Sequence, residues 1–133
     1  MTAGFVLFGA GMIAFSRALE RGPAMAALAV GVCTIGVAAV PLDAGYDGLH
    51  GALAGAGYAA LVAVPATAVM RLRPISGAVA AAVAVVAGAC LVASVVATGP
   101  NGLFQRLGLT LVDAWIVVTA VRLWRRRSVR ARA

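Results

Sequence analysis

The chain has 133 residues, 63% of them hydrophobic and 11% charged, with a mean hydropathy of +1.03. Its 11 basic residues are all arginine and stand against 4 acids, for a net charge of +7. A soluble domain needs far more charge to cover its surface, and a disordered chain far less apolar material, so both are excluded and a membrane protein remains.

In chain order, the apolar runs predict five transmembrane helices. The first covers about residues 2–16 and ends at the charged turn "RALERG". The second starts at Pro23, suited to a first helical turn because its missing N–H costs nothing there, and runs to about residue 42. The third covers roughly residues 49–70. After "RLRPIS" the fourth, rich in Ala and Val, covers about 77–97, with Pro65 and Pro74 marking a kink and a turn. The segment "TGPNGLFQR" reads as a loop into the last span, about 107–124, and residues 125–133 form a basic tail. The runs are continuous over about twenty residues, where barrel strands alternate over about ten, so the fold class is all-α, a polytopic transmembrane helix bundle. No internal repeat is visible, and five spans do not divide into two equal halves.

Orientation follows from arginine by loop. Arg17, Arg21, Arg71, Arg73 and the tail fall on one side, and the other holds Asp43, Asp47 and only Arg106. That asymmetry puts the arginine-rich side and the C-terminus in the cytoplasm and the N-terminus outside, in the cytoplasmic membrane of a bacterium. The first run then lacks the positive flank that normally starts insertion and is short for a bilayer core, so an upstream helix is expected to be missing or supplied by a partner. Its charges follow the apolar run, which is the wrong order for a secretory signal.

Three classes of function drop out. The tail beyond Trp124 carries no aromatic groups for stacking, so contact with anionic lipid is a better reading than nucleic acid. Cys33 and Cys90 fall inside apolar runs and read as small hydrophobes, and with His50 they match no compact zinc-site spacing; neither a metal nor a cofactor is expected. A proton path through both leaflets is missing, because the inner halves offer mainly Thr34, Thr67, Ser94 and Thr119, whose hydroxyls are expected to bond back to their own backbone.

Two stretches are more specific, "PLDAGYDGLHGALAGAGYAAL" and "GLFQRLGLTLVDAWIVVTAVRL". A Pro-x-Asp closing one helix (Pro41, Asp43), a His-Gly opening the next (His50, Gly51), and Gln105 and Arg106 with Trp115 further along the final helix carry the similarity. With this combination the chain resembles the bacterial multispan membrane family known as domain of unknown function 998. The resemblance covers nearly the whole chain and does not extend to Asp47 and Asp113. It implies six helices, one of them before residue 1, and a membrane location, but no established activity.

Function therefore rests on the polar residues. Asp43, Asp47, His50 and Arg106 share the outer side, and Arg106, Thr110 and Asp113 are spaced to form one polar stripe on the last helix. An ionised carboxylate in hydrocarbon costs several kcal/mol, so Asp113 is expected to face protein or a wet cavity. The plainest role for these groups is structural: His50 steadies the turn, Asp43 caps the third helix and Arg106 pairs with an aspartate. A second role is a pocket, in which Asp43, Asp47, His50, Tyr58, Gln105, Arg106, Asp113 and Trp115 surround an amphipathic, lipid- or isoprenoid-like ligand. Gly51 and Gly55, at small-xxx-small spacing, fit close helix packing or dimerisation. The third is acid–base catalysis on such a substrate by Asp43, His50 and Asp113, for which no nucleophile motif or phosphate loop speaks. The preferred expectation is a non-enzymatic module whose outer polar mouth binds such a ligand, a partner span or a second copy among membrane lipids.

Overall fold

The structure, a computed structural model, describes residues 2–40, 45–69, 74–96 and 101–130. Five helices account for it: α1 (Thr2–Ser16), α2 (Arg21–Ala39), α3 (Asp47–Ala68), α4 (Pro74–Val96) and α5 (Asn101–Arg130). The described residues contain no strand, so the fold is an all-α bundle. Four helices are long and apolar enough to cross a membrane. α1, with 15 residues, is not; at roughly 1.5 Å per residue it reaches about 22 Å against a hydrocarbon core of about 30 Å.

Two boundaries differ from the sequence expectation, for one reason. The segment expected as a loop before the last span is already helical from Asn101, and the basic tail continues that helix to Arg130. Gln and Arg are good helix formers, so a rise in polarity marks the edge of the hydrocarbon rather than the end of the helix. Pro23 does lie in the first turn of α2, where the first backbone bond runs from the Ala24 N–H to the Glu20 carbonyl at 2.8 Å. Pro74 opens α4, and Pro65 stands buried inside α3. In the turn between α2 and α3, Gly45 has a φ of 77°, a conformation that L side chains resist.

The core is small and apolar, drawing Met12 from α1, Ala27 and Val30 from α2, Leu61 and Val64 from α3, Ala87 from α4, and Val112 and Ile116 from α5. Large apolar side chains also cover the outside, with Leu7 74% and Val95 76% exposed. Water does not tolerate such a surface, but acyl chains do. The hydroxyls behave as expected at two of the four named positions: Thr67 donates to the Ala63 carbonyl at 2.7 Å and Ser94 to the Leu91 carbonyl at 2.7 Å.

Consecutive helices pack on one another, and α3 also touches α5. The closest approach joins α1 to α2. A methyl group added at Gly9 would lie 2.8 Å from the Gly31 carbonyl oxygen, and one added at Gly31 would lie 2.7 Å from that of Gly9. The helices meet backbone to backbone there, which only glycine allows. In contrast, α1 and α5 make no substantial contact. The bundle is an arc with a gap between its first and last members.

Candidate functional site

That gap opens into a cavity of about 520 Å³, within the roughly 300–1,000 Å³ of small-molecule sites. Its apolar wall comes from Phe5 and Phe8 of α1, Val30 and Val37 of α2, Leu53 and Leu61 of α3, and Leu109 of α5. Its polar groups are His50 and Tyr58 on α3, Thr34 on α2, and Gln105 and Asp113 on α5. Helices α3 and α5 both run inward from the end that carries His50. Tyr58 stands about 17 Å along α3 from its first residue and Asp113 about 18 Å along α5, well inside the ends of both helices.

His50 sits at the mouth, and its Nδ1–H donates to the Val40 carbonyl at 2.6 Å. Val40 is the residue that closes α2, so the ring ties the end of one helix to the start of the next. A carbonyl only accepts, which leaves Nε2 of the neutral ring as an acceptor.

Deeper in, two polar atoms are buried without a partner, the Tyr58 hydroxyl and one Asp113 carboxyl oxygen, Oδ1. Tyr58 is 6% exposed. Its ring reaches α5 because Gly108 has no side chain; a methyl group there would overlap the phenol and lie 2.9 Å from Cβ of Cys90. Both residues line the cavity, while these two oxygens themselves are packed inside the bundle, the Tyr58 hydroxyl against Gly108 and Cys90.

The structure thus gathers His50, Tyr58, Gln105 and Asp113 around one space. The other candidates among the described residues are placed elsewhere. Asp47 is exposed in the first turn of α3, where its charge suits the positive end of the helix dipole. Asp43 lies outside the described residues, and the residue preceding α3, Tyr46, makes no side-chain capping bond. Arg106 and Thr110 are exposed. They do share a face with Asp113, but the cavity takes the other flank of that face, through Gln105 and Leu109, and the inward stripe is corrected accordingly. Trp115 lines a separate groove between α4 and α5.

The glycine expectation also changes. Gly51 and Gly55 are exposed, and a methyl group added at either would meet nothing within 4 Å among the described residues. Close approach falls to Gly9 with Gly31, to Gly57 against Cys33, and to Gly108. Gly108, Phe5 and Phe8 were not legible as site residues from the sequence, since a glycine or phenylalanine in an apolar run carries no sign of what faces it, and Thr34, expected among the inner-half hydroxyls, lines this cavity instead. Among the described residues, no three histidine, cysteine or carboxylate side chains are grouped to hold a metal ion.

Residues 1–122 match the family model described as protein of unknown function DUF998, and the chain belongs to that family. No curated protein and no solved structure matches it.

Proposed function

We propose that this DUF998 membrane protein uses the cavity between α1, α2, α3 and α5 to hold a neutral amphipathic ligand, lipid- or isoprenoid-like, with a hydroxyl or amide at its polar end. The observation that carries this reading is the mixed lining of the cavity, where His50, Tyr58, Gln105 and Asp113 stand among Phe, Leu and Val side chains. The Gln105 amide both donates and accepts and a carboxyl accepts, so a ligand group that does both suits this lining. The walls of Phe, Leu and Val suit a hydrocarbon chain, and the gap between α1 and α5 opens the cavity to the side. Arg106 does not line this space, so a phosphate or carboxylate head would meet Asp113 without a cation, which argues for a neutral one. In the orientation that the arginines favour, the mouth faces outward from the cytoplasmic membrane of a bacterium.

Acid–base catalysis has less support. His50 is about 12 Å above Tyr58 along α3, and its Nδ1 is engaged by Val40.

Mass spectrometry of lipids that copurify with the protein tests the proposal. Enrichment of one neutral hydroxyl- or amide-bearing class is expected, with loss of that class in the cavity-filling variant Ala54→Phe. A lipid profile identical to the bulk membrane overturns it. So does a disulfide-linked dimer formed through Phe8→Cys, which gives the gap to a second copy.

A further inference from the structure

At the other end of the bundle a second recess, about 450 Å³, runs between α4 and α5. Its upper part is apolar, with Val83, Leu111, Trp115 and Val118. Its lower end is polar, with Ser76 from the start of α4 and Thr119 and Arg122 from α5. These converge because α4 and α5 are antiparallel, which sets the first turn of one beside the later turns of the other. Among the described residues, no acid lines it.

From Leu111 to Arg122 the groove runs about 17 Å, or about half of a roughly 30 Å hydrocarbon core. It is one leaflet deep. A straight apolar trough of that depth ending in a cation and two hydroxyls has the form of a phospholipid: acyl chain above, phosphodiester below. Arg122 presents a planar fork of donors that matches phosphate oxygens. The continuation of α5 adds positive charge just beyond it, with Arg125 exposed, and this raises the local concentration of anionic headgroups.

We infer that the α4–α5 groove is a binding site for one anionic phospholipid of the adjacent leaflet, with an acyl chain against Trp115 and the phosphate at Arg122. This site is independent of the cavity on the other face of the bundle, and its neutral ligand.

The chain has two tryptophans, Trp115 and Trp124. A Trp124→Phe background therefore leaves one reporter, inside the groove. The full chain is reconstituted into phosphatidylcholine vesicles containing a minor fraction of phosphatidylglycerol brominated on its acyl chains, or of phosphatidylcholine brominated identically. Trp115 quenching is expected to give a relative association constant about fivefold higher for the phosphatidylglycerol, the effect of one basic residue at a membrane surface. Arg122→Gln abolishes that preference, and Arg122→Lys, which keeps the charge, retains most of it. Equal quenching by the two lipids overturns the inference. A preference that survives Arg122→Gln also overturns it, by assigning the effect to the basic tail.

Discussion

Helix α1 has two very different neighbours. Against α2 it leaves no room for a methyl group between Gly9 and Gly31, whereas toward α5 it leaves a cavity of about 520 Å³. In water such a gap would collapse to hide its apolar walls. In a bilayer the surrounding tails are as apolar as the side chains, so closing it gains little, and helices stay close only where small residues let their backbones touch. The tight seam is therefore a property of the glycines, and the open one is stable as long as something apolar fills it.

The comparison is broken most severely at the seam. Gly31→Val drives side-chain carbon into the Gly9 carbonyl, and a loss of about 1–3 kcal/mol is expected, seen as a lower melting temperature in detergent and proteolysis within α1. Melting like the parent protein would mean that the two backbones are not in contact. Gly108→Ala comes next, since the phenol of Tyr58 must leave its seat; about 1–2 kcal/mol and a shifted tyrosine absorbance are expected. An unchanged absorbance would place Tyr58 elsewhere. His50→Ala removes the bond to Val40 at the mouth and is expected to cost about 0.5–1.5 kcal/mol, read as faster hydrogen exchange in residues 45–50.

Finer substitutions sharpen the contrast. Asp113→Asn keeps the shape and an accepting oxygen, so stability is expected to move by less than about 1 kcal/mol and copurifying lipid to stay; an emptied cavity would show that the carboxyl itself is required. Gly55→Leu is the smallest, within about 0.5 kcal/mol, because nothing among the described residues lies within 4 Å of a methyl group at that position. A loss of oligomer mass on that change would reveal a second copy packed on α3.

Much of the architecture was legible from residue order. Continuous apolar runs can satisfy their backbone in lipid only as helices, which is why five helices appeared where five were expected. The ends of α5 were not legible, because polarity reports the membrane boundary and helix propensity continues past it. Of the candidate site, His50, Tyr58, Gln105 and Asp113 were found as polar residues in greasy surroundings. Their partners were not, because a glycine such as Gly108 acts through the atom it lacks.

Composition and the order of residues determined a helical membrane protein, since desolvating a peptide group or a charge is costly wherever the chain folds. Only the tertiary structure decided that Gly9 and Gly31 close a seam while Gly51 and Gly55 do not, and that Gln105 rather than Arg106 turns toward the space shared with Asp113. Both are matters of helix rotation and neighbour choice, and in an apolar solvent those depend on shape matching between segments distant in the chain, which no local pattern encodes.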